Sequence, residues 1–446
     1  MFNIIKMSNR YLEVAVSNKT SDSKMSFHKG IANLIFQVPS INATLIPGSV
    51  RIAGKLRFYK DDSDPPTAAG GVQAADERLG VYGAFQSLTT RSIKHQQTIE
   101  NVRHYAHFLK NFLPLATSRE DADTHWSQSS LEQSNFNLFN SNVVRQDAEN
   151  EFCLPLPCGL FNGTQDIPLG ENMLGGLEIV LALASDSQMI YSDTGTPDTI
   201  STAWYEFSDL KLCCEVRDYT PDELSRLMKK ASSGFTYQTI SSYYDTINSQ
   251  SSNIVFNLGL SKVRSVFTSF IPSSYLNNRS QNGYATLMPS NKDGNLAPIK
   301  KVVWTKGGTM YPKMYEVNTN LRESPKTISC DPVVIKDYVS AVRLFKDNDA
   351  IQLGDTTTNR DINNSNNATD TNQLQYSKVP NGGYSWGLGI TYDHLGGQGA
   401  DFSNPGSQFG LNMELDLTTD SPQSVFLFVN SEVNVLFNQN GLQVVQ

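Results

Sequence analysis

The sequence is poor in charge and lacks several motifs that catalytic sites need. Charged residues make up 18% of the 446 positions, and the formal net charge is −8. Wrapping of nucleic acid requires clustered Lys and Arg to neutralise phosphates, so an acidic chain argues against it. The sequence has no GxxxxGK[ST] phosphate loop and no HExxH zinc motif. We therefore predict no sequence-specific nucleic-acid binding, no catalytic residues and no enzyme.

Cysteine is scarce and unpatterned. The five cysteines are Cys153, Cys158, Cys213, Cys214 and Cys330, an odd number without CxxC spacing. Zinc binding by Cys153 and Cys158 would need two further ligands that nothing nearby supplies. We expect reduced, buried thiols, with no disulfide, metal or cofactor.

Long apolar runs are also missing. No stretch approaches the about 18 continuous apolar residues of a membrane span, and the first ten residues lack the apolar core of a signal peptide. We expect a soluble protein made in the cytosol.

The residues that are present favour a mainly β protein with two lobes. A chain of 446 residues is long for one hydrophobic core and suits two of about 200 residues each. Asn, Ser, Thr and Gly are abundant, as expected for many short strands joined by polar turns. The two cores should therefore be β-sandwiches.

The first half contains strand patterns and one helix pattern. The predicted strands lie at 34–59 (two or three strands), 81–88, 151–156, 165–169, 176–184 and 209–216. Apolar residues such as Ile99, Val102 and Ala106 recur at three- and four-residue steps, which predicts a helix over 95–113. His104 and His107 share a face of it, so a metal site is conceivable. The preferred interpretation puts both, with His95, on the polar flank of the helix.

A capped helix marks the boundary between the halves. Thr220 supplies an N-cap hydroxyl, Pro221 suits the first helical position and Glu223 completes a capping box. Gly234 can provide the left-handed stop. We predict a linker helix over 220–234.

The second half repeats this order of elements. Strands are predicted within 235–271 and at 301–305, 385–392, 409–417 and 425–437, with a kink near Asn430-Ser431 in the last one. A second helix should begin at Asp331-Pro332. Segment 346–382 is too polar to enter a core, so we expect an exposed loop there.

Several segments of the sequence resemble the double jelly-roll major capsid proteins of DNA viruses, most of all those of the virophage and polinton-like branch. The segments that carry the likeness are 154–161, 167–169, 176–181, 210–219, 307–312, 399–402 and 411–417. The resemblance implies two consecutive eight-stranded antiparallel jelly rolls with a few short helices. The domains would be an N-terminal arm at 1–30, a first jelly roll at 31–219, the linker helix at 220–234 and a second jelly roll at 235–446.

The resemblance also implies a function. The chain would form pseudo-hexagonal homotrimeric capsomers of an icosahedral shell, located in the virion after synthesis in the host cytoplasm or nucleus. Its partners would be itself, neighbouring capsomers, penton and minor capsid proteins, and in some shells an internal membrane. The arm at 1–30 would lie outside the barrel and tie subunits together, facing the interior, and 346–382 would lie near the outer surface.

Other functions stay open at this point. A minor capsid protein would share the same layout. A carbohydrate-binding pair of sandwiches would use exposed aromatic residues, for which Trp126, Trp204, Trp304 and Trp386 are candidates. A glycoside hydrolase would need two facing carboxylates about 5 to 9.5 Å apart, but the acidic residues are better explained as solvated loop charges and a helix cap.

Overall fold

The computed structural model describes most strands of both lobes. The described residues are 9–19, 22–63, 73–76, 79–116, 150–192, 201–220, 222, 226, 234–249, 251–284, 299–316, 337–338, 340–342, 387–392, 398–415, 422–438 and 441–446. The predicted loop at 346–382 lies outside them, as do Trp126, Trp386 and Cys330.

The first lobe is a sandwich of two antiparallel sheets. Its strands are β1 (Asn9–Ala15), β2 (Lys24–Met25), β3 (Asn33–Val38), β4 (Ala43–Leu45), β5 (Arg51–Tyr59), β6 (Gln73–Ala74), β7 (Phe85–Ser92), β8 (Thr98–Val102), β9 (Asn150–Pro155), β10 (Ile167–Pro168), β11 (Leu177–Leu183), β12 (Tyr191–Ser192) and β13 (Trp204–Asp218). One sheet has the order β1-β13-β5-β9, extended by the short β2, β4 and β10, and the other has the order β3-β11-β7-β8. Apart from the β7–β8 hairpin, each connection between these eight strands crosses to the other sheet, as in a jelly roll.

The second lobe has the same order. Its strands are β14 (Phe235–Ile247), β15 (Ser251–Phe256), β16 (Val263–Pro272), β17 (Ile299–Lys306), β18 (Thr309–Glu316), β19 (Gly387–Thr391), β20 (Phe409–Leu415), β21 (Gln423–Asn438) and β22 (Gly441–Val445). The two sheets are β14-β21-β16-β19 and β15-β20-β17-β18, with β22 added beside β21. Strand for strand, β14 to β21 repeat the pattern of the first lobe, so the predicted two eight-stranded jelly rolls are confirmed.

The N-terminal segment is not the free arm that we expected over 1–30. Its residues Asn9–Ala15 form β1, which pairs antiparallel with β13 from Asn9 opposite Arg217 to Ala15 opposite Lys211. Val16 and Met25 are buried in the core. Leu12 and Val14 of β1 pack against this core, and without β1 the edge of β13 from Lys211 to Arg217 would be unpaired.

The predicted helix over 95–113 is wrong in its first half. Thr98–Val102 is strand β8, paired with β7, and helix α1 spans Tyr105–Ala116. Ile99 and Val102 are three residues apart, a spacing that suited a helix, but the hairpin with β7 determines the strand. His104, at the change of direction, has a φ of +52°. The start of the strand predicted at 81–88 is likewise a 3₁₀ turn, Gly80–Ala84.

Each lobe carries a helix at an equivalent position. Helix α1 follows β8 in the first lobe, and helical residues 337–338 and 340–342 lie between β18 and β19 in the second. Among the described residues of the first lobe, the other α-helices are the single turns α2 (Gly159–Asn162) and α3 (Asp186–Met189). No helix within the described ranges is long and apolar enough to cross a membrane.

Strand β21 buries both of its faces. Val425, Leu427 and Val429 pack in the core of the second lobe. Phe426 and Phe428 belong to the core cluster that also fills the first lobe, and Val433 and Val435 rejoin that cluster after the alternation shifts. The shift lies where β16 has a register irregularity opposite Asn430 and Ser431, whereas β14 pairs with β21 through this point without a shift. The kink predicted in β21 itself stays a prediction.

Candidate functional site

The two lobes of the described structure meet in an extensive buried contact. Helix α1 of the first lobe packs on the outer face of the β14-β21-β16-β19 sheet. The ring of Phe108 lies 5.9 Å from that of Phe428 and 6.3 Å from that of Phe267. The second-lobe helix joins the contact, because the hydroxyl of Tyr338 donates to Oδ1 of Asn111 at 2.5 Å. The core of the first lobe therefore continues without a break onto the second.

A buried ion pair lies at this junction. Nζ of Lys110 in α1 donates to both carboxylate oxygens of Asp76, at 2.8 and 2.6 Å, and both side chains are 0% exposed. Asp76 also accepts from the backbone N–H of Leu79 and from Nδ2 of Asn282, which belongs to the second lobe. Burial of two charges is tolerated only with such additional hydrogen bonds. The network therefore fixes the second lobe against α1.

A second polar network is centred on Glu100 of β8. Its Oε1 accepts from the N–H of Gly159 at 2.9 Å and from the hydroxyl of Thr239 in β14 at 2.7 Å, and its Oε2 accepts from the N–H of Leu160 at 2.9 Å. Burial raises the pKa of this carboxyl, and the hydrogen bonds offset only part of that effect. One side chain thus joins β8, α2 and the first strand of the second lobe.

Beside this network, the backbone of α2 lies very close to the backbone of β14. A Cβ atom at Gly159 would lie 1.7 Å from the carbonyl oxygen of Gln238 in β14, so only glycine fits there. Nearby, the hydroxyl of Tyr237 donates to the carbonyl of Ile99 at 2.8 Å, and that of Ser242 donates to the carbonyl of Arg103 at 2.7 Å. These contacts dock two jelly rolls into one block.

The sequence interpretation missed these junction residues. Glu100 and Lys110 are charged residues within segments that are otherwise rich in apolar residues. That contrast was the signal available in the sequence. A buried charge is rare unless it is paired. Their partners Asp76, Gly159 and Asn282 lie far away in sequence, and only the fold brings them together.

The linker-helix cap remains a prediction. Strand β13 ends at Asp218, Asp222 and Arg226 are helical, and β14 begins at Phe235. Pro221 and Glu223 lie outside the described residues. Gly234 has a φ of +77°, and a Cβ there would lie 2.2 Å from the carbonyl oxygen of Val435.

The histidines are not arranged as expected. His107 is 7% exposed and packs on Phe426, with ring centroids 3.9 Å apart, so it lies in the junction and not on a polar flank. His104 is 6.4 Å from His107, ring to ring, and His95 lies in the β7–β8 turn beside the carbonyl of Met173. Within the described ranges, no three His, Cys, Asp or Glu side chains are placed to hold a metal ion.

The cysteines and tryptophans are largely buried. Cys158, Cys213 and Cys214 are buried thiols, but Cys153 is exposed, because β9 turns Phe152 and Leu154 inward and Cys153 outward. The two described tryptophans are covered. Trp304 is 0% exposed, and Trp204 is 2% exposed beneath Tyr59 and His28. Neither indole presents an open face on which a sugar could stack.

One pentapeptide has the spacing of a hydrolase nucleophile elbow. It is GYSWG at 383–387. The elbow requires a strand before the serine and a helix after it. Here the last glycine of the pentapeptide begins strand β19, so the context is not that of an elbow.

Two exposed apolar side chains lie on the outer face of the second lobe. Val255 of β15 pairs with Gly410, Gly410 with Thr305, and Thr305 with Met310 of β18, so the four form one row across the sheet. Val255 is 46% and Met310 53% exposed. Thr305, between them in the row, is 6% exposed, so the two apolar side chains are exposed separately and do not form one contiguous patch.

Solved structures share this fold. No protein-family model and no curated protein matches the sequence. The Faustovirus major capsid protein matches with a TM-score of 0.57 and 7% identity, covering 97% of this chain and 91% of that one. The Sputnik virophage structure matches with a TM-score of 0.56 and 10% identity, covering 100% and 90%. The PBCV-1 virus capsid matches with a TM-score of 0.55 and 10% identity, covering 99% and 97%. The chain therefore has the double jelly-roll fold of these viral capsid proteins.

Proposed function

We propose that this protein is a structural coat protein, the major capsid protein of an icosahedral DNA virus. The observation that carries the proposal is the pair of jelly rolls with identical strand order, docked into one block and similar over nearly the whole chain to the Faustovirus major capsid protein. A shell subunit needs a stiff body with lateral faces that bind neighbours. It does not need a catalytic cleft.

The proposed assembly is a homotrimer. Two jelly rolls in each chain give a trimer six barrels, which form a pseudo-hexagonal tile that packs into a curved lattice. Closed symmetric oligomers are the usual outcome for a chain that binds copies of itself. In the virion the further partners would be neighbouring capsomers, penton and minor capsid proteins, and an internal membrane where the shell has one.

The sheet face that carries Val255 and Met310 is a candidate contact surface within this assembly. We place a second copy of the chain on it, because Val255 and Met310 expose large apolar side chains on the same sheet face. Burying apolar surface in a contact stabilises the association by about 25 cal/mol for each Å² that is removed from water.

The test is the size and shape of the purified protein. Light scattering after gel filtration should give three times the mass of the chain, and negative-stain images should show pseudo-hexagonal particles. Replacing Val255 and Met310 with Asp should increase the monomer fraction without lowering the unfolding temperature. Thr98→Asp, at an exposed strand position of the first lobe, is the control.

Other outcomes would contradict the proposal. Monomers that bind sugars would favour the carbohydrate-binding alternative. Trimers that do not form shells without another jelly-roll protein would favour the minor capsid alternative. Trimers that persist in the variant with Asp at both positions would show that the contact surface lies elsewhere on the chain.

A further inference from the structure

The lobe junction borders a cavity that the coat function does not require. It has a volume of about 360 Å³ and is open to solvent between the first-lobe helix α1 and the second-lobe strands β14 and β21. Six of its lining side chains are aromatic rings: Phe27, His104, His107, Tyr244, Tyr284 and Phe426. Small-molecule sites usually have volumes of about 300 to 1,000 Å³ and mainly apolar walls with a few polar groups.

The cavity is uncharged. Among the described residues that line it there is no Asp, Glu, Lys or Arg. Burial, with smaller contributions from His104 and Lys110, lowers the pKa of His107 to about 3, and burial also lowers the pKa of His104. Both imidazoles are therefore neutral near pH 7. A charged ligand would lose its hydration here without gaining an opposite charge, so the cavity selects uncharged compounds.

His107 supplies unused hydrogen-bonding capacity. Its side chain is 7% exposed, its ring stacks on Phe426 at 3.9 Å, and it meets Tyr284 edge-on at 5.0 Å. Within the part of the chain that the structure describes, no hydrogen bond is formed by either ring nitrogen. Buried polar side chains nearly always have a partner. A neutral imidazole can offer one N–H donor and one acceptor.

Backbone conformation at the cavity is also unusual. His104 has a φ of +52° and Asn277 a φ of +54°, and both line the cavity. Non-glycine residues in the left-handed region are uncommon and tend to cluster at ligand sites.

We propose that this cavity binds an uncharged planar heteroaromatic compound, which packs against Tyr244 and Phe426 and hydrogen-bonds to His107. Tyr244 is 44% exposed and supplies the open aromatic surface at the rim, whereas Phe426, whose ring lies 5.3 Å from that of Tyr244, is 2% exposed. Aromatic rings attract one another in offset and edge-on arrangements. Because the walls come from both lobes, the bound compound would also strengthen the junction.

Two probes of similar two-ring shape make the test specific. Benzimidazole carries a donor and an acceptor and is neutral at pH 8, whereas indene has no nitrogen. Titration calorimetry or saturation-transfer NMR on the purified protein should show saturable binding of benzimidazole, one per chain. His107→Phe keeps an aromatic ring and removes both nitrogens. It should weaken benzimidazole binding about tenfold, as expected for a lost hydrogen bond, and leave indene binding unchanged.

Rim variants complete the experiment. Tyr244→Ala, at a side chain that is 44% exposed, should weaken binding of both probes. Tyr11→Ala, at an exposed tyrosine of β1, should change neither. Absence of saturable benzimidazole binding would overturn the proposal, as would binding that both His107→Phe and Tyr244→Ala leave intact, or an equal loss of both probes in His107→Phe. The mass of the oligomer is measured separately, so these outcomes leave the coat proposal standing.

Discussion

At the scale of single residues, Lys110 and Asp76 form an ion pair whose two side chains are both fully buried. Lys110→Met should lower the free energy of unfolding by about 3–5 kcal/mol, because it leaves the Asp76 carboxylate buried without its cation. Denaturant titration followed by circular dichroism measures the change.

A second substitution provides the control for this pair. Adding Asp76→Asn to Lys110→Met removes the unpaired charge and keeps an acceptor for the N–H of Leu79. The double variant should recover much of the lost stability. A double variant as unstable as the sum of the two single variants would mean that the two charges do not interact.

Glu100 makes stability depend on pH. Burial raises its pKa above the ordinary value of 4.5, so the folded protein holds this proton at pH values where the unfolded chain has lost it. The contribution of Glu100 is therefore full below pH 4.5 and declines as the pH rises through the raised pKa. When the unfolding temperature is measured against pH, Glu100→Gln should lack the decrease in stability that Glu100 causes as the pH rises. Glu215→Gln, on the exposed side of β13, is the matched control. A profile of Glu100→Gln parallel to that of the parent protein would contradict the assignment.

At the scale of elements, the single turn α2 tests the docking of the lobes. Gly159→Ala would place a Cβ 1.7 Å from the carbonyl oxygen of Gln238, so backbone must shift. We expect a loss of about 1–3 kcal/mol or more in unfolding free energy. Gly163→Ala, at the other end of the same turn, has its nearest atom at 3.6 Å and serves as the matched control. Equal stabilities for the two variants would show that α2 and β14 are not tightly packed.

The linker helix gives a smaller effect. Thr220→Ala removes the predicted N-cap and should lower stability by about 1 kcal/mol, while both jelly rolls still fold. Thermal unfolding identical to that of the parent protein, together with normal trimers, would mean that this hydroxyl does not set the start of the helix.

The elements also show where a local pattern misleads. Continuous or alternating apolar runs predicted β11, β16 and β21 correctly, because a strand buried in a sandwich needs them whatever its neighbours are. The segment around Ile99 was predicted as helix. Its three-residue spacing fits either structure, and pairing of β8 with β7 decided between them.

At the scale of the whole molecule, the N-terminal strand is part of the first barrel. Deleting residues 1–16 should lower the soluble yield and the unfolding temperature, because the edge of β13 from Lys211 to Arg217 loses its partner. Deleting only residues 1–8 leaves all described pairs of β1 in place and should have little effect on either quantity. A 1–16 deletion that unfolds at the temperature of the full chain would restore the interpretation of this segment as an arm.

The sequence by itself determined the β class, the two lobes and the helix placed alike in each. These features follow from local periodicity, turn residues and length, which act over short stretches of chain. The tertiary structure alone decided that Asn9–Ala15 completes a barrel, that His107 is buried, and that Asp76, Lys110 and Asn282 meet at one point. Those outcomes depend on which distant segments compete for the same edge or the same buried space, and no local pattern encodes that competition.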